Sequence, residues 1–223
     1  YAKGCPVMPV DLLHVDEDLV VAVKPAGMLM HNSAYAGPRE VSLLDVLRTQ
    51  VPGPLLGIHR LDRGASGVVA LGRNPDAVRA AQASWADQTH KAYLALVRGH
   101  LGNAVEVDHP VKDENGTAKD ARSSVVPRWQ SSVERVSLVE VTLWTGRRHQ
   151  VRLHLRHLSH PIVGDSNYGD GKFNRAFATR FGLKRLMLHA CVLALPHPRT
   201  GEKLVFNAPP TPELAAVLGM LHG

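Results

Sequence analysis

Lys91-Ala92-Tyr93-Leu94-Ala95-Leu96-Val97-Arg98-Gly99 alternates in character. Tyr93, Ala95 and Val97 fall on one face of an extended chain and Leu94, Leu96 and Arg98 on the other, which predicts a β-strand with Tyr93 on one defined side. Downstream, Val133 to Trp144 is rich in β-branched residues and reads as a second strand. Upstream, the apolar run Leu19 to Val23 is ended by Lys24-Pro25-Ala26-Gly27, the pattern of a buried strand entering a turn. Helices punctuate these strands at irregular intervals. Ser42 caps one through Gln50, with Asp45 in its first turn and Leu43, Leu44, Val46 and Leu47 as its apolar face. Asn74-Pro75-Asp76 starts another that runs to about Asp87, because Pro is harmless where the first amides lack partners. Gln150 to Leu158 has helical spacing through Val151, Leu155 and Leu158, and Thr211-Pro212-Glu213 opens a last helix. Such mixing argues against a regular βαβ repeat and for an α+β fold. Gly102 to Arg128 is polar and weakly patterned, and is expected to be the most mobile stretch.

A chain of 223 residues fits one large domain or two closely packed halves, and without repeats or a Pro, Gly or Ser tract a single unit over 1–223 is the expectation. No apolar run approaches the roughly 20 residues of a membrane span, and Tyr1 to Pro9 lacks the regions of a secretory signal, so neither a membrane nor export is implied. Two cysteines, Cys5 and Cys191, cannot form a disulfide framework; Cys191 sits in an apolar run where a buried, inert thiol is expected, which suits the cytoplasm. The net charge of +6 favours a polyanionic partner and leaves nucleic acid, membrane surface and nucleotide all open. Aromatic residues make up only 5%, which favours a few placed contacts to a folded RNA over an extended stacking platform.

Two stretches could carry chemistry. In Gly57-Ile58-His59-Arg60-Leu61-Asp62-Arg63-Gly64-Ala65-Ser66-Gly67 a carboxylate stands between two arginines and before turn glycines. Taken alone, that is the composition of a solvated surface ion pair. Thr145-Gly146-Arg147-Arg148-His149-Gln150-Val151-Arg152-Leu153-His154 is a glycine turn entering a basic helix, whose donors Arg147, Gln150 and Arg152 suit phosphate or carboxylate, or simply an exposed basic face. The spacing of His154, His157 and His160 raises a metal alternative, but no Glu completes an HExxH pattern and Pro161 ends the helix by His160, so no metal is expected.

Together these residues resemble one family. His59-Arg60-Leu61-Asp62 with Ser66-Gly67, Lys91-x-Tyr93, and Thr145-Gly146-Arg147-x-His149-Gln150-x-Arg152 are similar to the motifs of the RluA-type pseudouridine synthases. Lys24-Pro25-Ala26-Gly27 with His31, His160-Pro161-Ile162-Val163-Gly164-Asp165, Leu188-His189-Ala190 and His197-Pro198 extend the resemblance over nearly the whole chain. Gly164 to Asp170, continuing through Asn174-Arg175 and Phe181-Gly182-Leu183, looks like the branch called transfer RNA pseudouridine synthase C.

The resemblance implies a mixed, mostly antiparallel sheet in two halves flanked by helices, with a central RNA-binding cleft. It implies an intramolecular isomerase that flips a uridine from structured RNA, transfer RNA and a T-stem uridine above all, with ribosomal RNA or non-catalytic RNA binding as alternatives. No cofactor is implied, in keeping with the absence of GxGxxG, GxxxxGK[ST] and CxxC patterns. By the same resemblance Asp62 is the catalytic acid and Arg152 its cationic partner, and an arginine within about 4–6 Å lowers a carboxylate pKa by ~1–3 units. Tyr93 packs on the flipped base, Arg60 fills the gap that the base leaves, and Leu188 lines the uracil pocket. Lys24, His31, His59, Arg147, His149 and Gln150 are expected to contact substrate. A monomer is the expectation, and because the chain starts directly with the catalytic region, the N-terminal RNA-binding domain that many relatives carry is not expected. Two departures stand out: Ala65 occupies a position where the family has Thr, and the segment before Val133 is short for the transfer RNA branch.

Overall fold

The computed structural model describes residues 8–32, 40–183 and 185–222; Cys5 lies outside them. In chain order the elements begin with β1 (Leu12–Val15), β2 (Leu19–Lys24), α1 (Leu43–Gln50), β3 (Leu56–Gly57), β4 (Ser66–Gly72), α2 (Pro75–Ala83) and β5 (His90–Arg98). They continue with β6 (Val105–Asp108), β7 (Val111–Lys112), β8 (Ala118–Lys119), β9 (Arg122–Gln130) and β10 (Val136–Leu143). The remainder is α3 (Gln150–His157), α4 (Gly171–Phe181), β11 (Leu188–Pro196), β12 (Lys203–Asn207) and α5 (Pro212–His222). The sheet is mostly antiparallel, as in the pairs β5–β10, β9–β10, β2–β4 and β6–β9, and helices are interspersed, the α+β class that the sequence predicts. No helix among the described residues is long and apolar enough to cross a membrane.

The chain forms two compact units, residues 1–89 with 192–208 and residues 90–191 with 209–223. No composition shift marks the division because one crossing point, Cys191–Val192, falls inside a continuous strand.

In the first unit β2 lies between β1 and β4, with Val21 opposite Ala70 and Val23 opposite Val68. Every residue of β4 is buried, so its sequence carries no in–out alternation to betray it. Leu19, Val21, Ile58, Val68, Leu193, Leu195 and Phe206 form the core on which α2 seats Ala81. α1 opens on the predicted Ser42, which accepts the Asp45 N–H while the Asp45 carboxylate accepts the Ser42 N–H, a reciprocal capping box. α2 stops at Ala83 and not at Asp87: the Ser84 hydroxyl turns back onto the carbonyls of Ala80 and Ala81, and the Trp85 N–H bonds three residues back to Gln82.

In the second unit the strand order is β5-β10-β9-β6. Tyr93 lies opposite Val141, and Val141 opposite Val125. β10 begins at Val136 because the N–H groups of Val133 and Glu134 are spent on the Ser131 hydroxyl in a turn. The polar, weakly patterned segment 102–128 carries β6, β7, β8 and most of β9. β9 is ordered by ladders on both sides, to β10 and to β6, which outweigh its serine-rich, weakly β-forming composition. α4 is capped by Asp170, whose carboxylate accepts the N–H groups of Lys172 and Phe173, and closed by Gly182 at φ 70°. Cys191 is half-buried, not fully buried, with its thiol 3.4 Å from the Ala92 carbonyl.

Candidate active site

The sequence-predicted site residues divide between the units: Lys24, His31, His59, Arg60 and Asp62 in the first, Tyr93, Arg147, His149, Gln150, Arg152 and Leu188 in the second.

In the first unit the loop between β3 and β4 presents a half-buried Asp62 at the start of a tight turn, in which its carbonyl accepts the Ala65 N–H at 3.1 Å. The loop is tied down at three places. His59 accepts the Ala70 N–H of β4 through Nε2 at 3.0 Å, and its ring lies 4.7 Å from that of Trp85. Lys24 is fully buried; its ammonium donates to the carbonyls of Pro25, Met28 and Arg63 at 2.8, 2.7 and 3.1 Å. The Gly27 N–H, at φ +79°, donates to Arg63 O at 2.8 Å. Thus His59 and Lys24, for which substrate contacts are expected, are here committed to holding the Asp62 loop. Ala65 is buried at 1% exposure, so the hydroxyl absent at this position belongs to the packed interior of the loop. Arg60 is exposed, and among the described residues nothing bonds its guanidinium. With His31, His59 and apolar neighbours including Leu55 and Ile58, it lines a depression of about 600 Å³.

In the second unit side chains directly opposite on an antiparallel sheet share a face, so Lys91, Leu143 and Ser123 lie on one side. Tyr93, two residues from Lys91, is on that side as well. Ser123 Oγ meets His154 Nδ1 of α3 at 2.7 Å, which places α3 over the face that carries Tyr93. Gln150, buried at 2% exposure, organises the turn before α3: its Oε1 accepts the Thr145 hydroxyl at 2.8 Å and the Arg147 N–H at 2.9 Å, and its Nε2 donates to Arg122 O at 3.0 Å. It therefore shapes the motif from within. Arg147 is exposed and donates to Asp120 O. Leu188 is buried at the start of β11.

Arg152 is 7% exposed and held on two sides. Its Nε and Nη2 donate to the two oxygens of Asp165 at 2.7 and 2.8 Å, and its guanidinium carbon lies 4.8 Å from the centroid of the Tyr168 ring. Burial pushes the Asp165 carboxyl up, but the Arg152 hydrogen bonds, the Arg152 charge and the N–H groups of Tyr168 and Asn167 outweigh it and hold the group below the ordinary carboxylate value. The Tyr168 hydroxyl lies 2.9 Å from His149 Nδ1, and His149 caps α3 in the left-handed region at φ 56°, a conformation a non-glycine residue adopts only where its surroundings fix it. Sequence reading singled out neither Asp165 nor Tyr168 as site residues. They sit in a run of turn-forming residues, and the one available signal was a carboxylate directly after Gly164, downstream of an arginine that α3 buries.

The three histidines weighed as metal ligands are spoken for. His154 bonds Ser123 and the His109 carbonyl, His157 stacks on His109 at 3.8 Å, and His160 bonds the Arg98 carbonyl. Among the described residues one trio, His14, Asp16 and His197, meets at metal-ligand distances. It does not fit a cation. His197 Nδ1 accepts the N–H groups of Arg199 and Thr200, so its Nε2 carries the proton that Asp16 receives.

A family model described as RNA pseudouridylate synthase matches residues 18–157, a span that takes in Asp62, Tyr93 and Arg152. A protein of Haemophilus ducreyi named transfer RNA pseudouridine synthase C is 35% identical, with 90% of this chain and 91% of that protein covered. Its namesake from Salmonella typhimurium is 38% identical over 89% of this chain and 84% of that one. The solved structure titled human RNA pseudouridylate synthase domain containing 4 superimposes with a TM-score of 0.77 at 26% identity, covering 95% of this chain and 92% of its own. With motifs, fold and relatives in agreement over most of its length, the chain belongs to the RNA pseudouridylate synthase family.

Proposed function

We propose that this chain isomerises a T-stem uridine of transfer RNA, with Asp62, Tyr93 and Arg152 acting on one everted nucleoside. As a family member it is an intramolecular isomerase of RNA uridine: the N-glycosidic bond breaks, the uracil rotates, and carbon five takes the place of the ring nitrogen on the ribose. Bonds broken and formed balance, and no redox partner or energy source enters. Asp62 attacks the anomeric carbon or removes the neighbouring ribose proton, and both roles require a carboxylate. Tyr93 packs on the base and assists loss of the carbon-five proton. Because a base inside a helix is out of reach, the target leaves the stack at a cost of a few kcal/mol, and the planar, exposed Arg60 guanidinium fills the space.

The observation that carries this reading is the family match, which spans the three proposed catalytic residues and brings relatives named for transfer RNA. The buried clamp on Arg152 supports it, since a guanidinium fixed by Asp165 and Tyr168 is aimed in advance of substrate binding. The test is incubation of purified protein with unmodified transfer RNA and ribosomal RNA transcripts, followed by carbodiimide derivatisation and primer extension. Pseudouridine at one T-stem position of transfer RNA is expected; product only in ribosomal RNA would replace the substrate, and product in neither would end the reading.

A further inference from the structure

α4 and the turn that carries Asp165 enclose a groove of about 720 Å³ in the second unit, lined by Gly164, Asp165, Ser166, Asn174, Arg175 and Thr179 among others. Three features define what it would accept. First, its walls are fixed to each other: Asn174 Oδ1 accepts the Gly164 N–H at 2.9 Å and Asn174 Nδ2 donates to Asp165 O at 3.0 Å, while a Cβ at Gly169 would lie 2.3 Å from that same oxygen. Second, its one acidic lining residue presents no free charge, because the Asp165 carboxylate is 1% exposed and paired with Arg152. Third, the remaining charge is Arg175, exposed and, among the described residues, without an ion-pair partner.

That last feature sets α4 apart. The helix Gly171-Lys172-Phe173-Asn174-Arg175-Ala176-Phe177-Ala178-Thr179-Arg180-Phe181 contains no acidic residue. Its other arginine, Arg180, is paired with Glu134, and its N-cap Asp170 with Arg98. Arg175 and the nearby exposed Lys172 therefore leave a positive field over a groove floored by small residues and edged by the polar side chains of Ser166, Asn174 and Thr179; the Ser166 hydroxyl donates to Asn167 Oδ1 and the Thr179 hydroxyl to the Arg175 carbonyl, so charge supplies the attraction. A phosphodiester suits this arrangement: a charged, hydrogen-bond-accepting group on a strand thin enough to lie between helix and turn. Through Asn174 and Asp165 the wall of the groove is tied to Arg152 within the same unit.

We propose that the α4 groove holds the RNA backbone beside the everted uridine, with Arg175 as the phosphate contact. This rests on the RNA isomerase reading given above. It does not depend on which RNA is modified.

The test separates binding from chemistry. An unmodified transfer RNA transcript is titrated against wild type, Arg175→Ala, Arg175→Lys and Arg180→Ala across a salt series, and turnover is measured in parallel. Arg175→Ala is expected to raise Kd and KM on the order of five- to tenfold with kcat unchanged, and to reduce the slope of log K against log salt by about 0.7–0.9, the loss of one phosphate contact. Arg175→Lys should keep the slope, and Arg180→Ala should match wild type. Unchanged KM and slope in Arg175→Ala, or a fall in kcat alone, overturns the groove as a backbone site. Wild-type protein that binds the transcript with the expected salt dependence but makes no pseudouridine defeats the isomerase reading, leaving the groove to be judged on binding.

Discussion

Asp165→Asn isolates the clamp on Arg152. The carboxylate accepts Arg152 Nε and Nη2 at 2.7 and 2.8 Å and the N–H groups of Asn167 and Tyr168 at 2.9 and 3.0 Å, all in a buried setting. An amide of the same shape can still accept through Oδ1, but it turns its NH₂ towards the arginine edge and takes the Asp165 charge away from a buried guanidinium. Breaking a buried pair by removing one partner costs about 3–5 kcal/mol, and retention of the main-chain bonds places this case near 3 kcal/mol. For a chain of this size that is a fall in Tm of roughly 6–12 °C. Because Arg152 is positioned through Asp165, kcat should fall as well, with a smaller change in KM. Arg152→Met combined with Asp165→Asn removes both charges while keeping the acceptor for the Asn167 and Tyr168 N–H groups, and should recover part of the lost stability while remaining inactive. Calorimetry and single-turnover kinetics on the three proteins decide the matter. If Asp165→Asn melted within about 1 °C of wild type and turned over normally, the clamp would have neither the energetic nor the positioning role assigned to it.

The same pair has a signature in acid. The Asp165 carboxyl lies below its ordinary value of 3.8, so its contribution to stability is complete above that pH and is lost as pH falls through the lower folded value. His154 acts over a different window. Burial outweighs its bond to the His109 carbonyl and lowers its pKa below 6.5, so the neutral ring is favoured in the fold; stability is full above 6.5 and declines as pH drops towards the folded value. His154→Gln should flatten that decline in a pH series of denaturant midpoints, and an unchanged series would show that another group titrates. Gly164→Ala should cost about 2–4 kcal/mol, because φ is +78° and the new Cβ would lie 1.8 Å from the Arg185 carbonyl oxygen. A wild-type melting temperature in that variant would mean that the turn is not built as described.

Elements with a local chemical signature were legible in the sequence. The Ser42 cap, the Asn74-Pro75 start and the alternation of Lys91 to Gly99 each specify their element from within a few residues. β4 is buried at every position and pairs with β2 from well upstream, and β6 to β9 are polar strands held by ladders to one another and to β10, so alternation within a window does not reveal them. The site shows the same division. His59, Asp62, Tyr93 and Arg152 were reached through motif resemblance, whereas the groups that hold them were not: Ala70 for His59, three carbonyls for Lys24, and Asp165 with Tyr168 for Arg152. These partners are main-chain atoms or distant side chains, which residue type does not reveal. Gln150 and Lys24 were expected to contact substrate through the motif resemblance, and burial is what turns them inward.

The most direct measurement is pseudouridine formation by Asp62→Asn on a transfer RNA transcript that the wild-type protein modifies. The side chain keeps its size and loses only its charge and nucleophilicity, so the account predicts no product above background with RNA affinity within a few-fold of wild type. Turnover at the wild-type rate would show that another group opens the glycosidic bond.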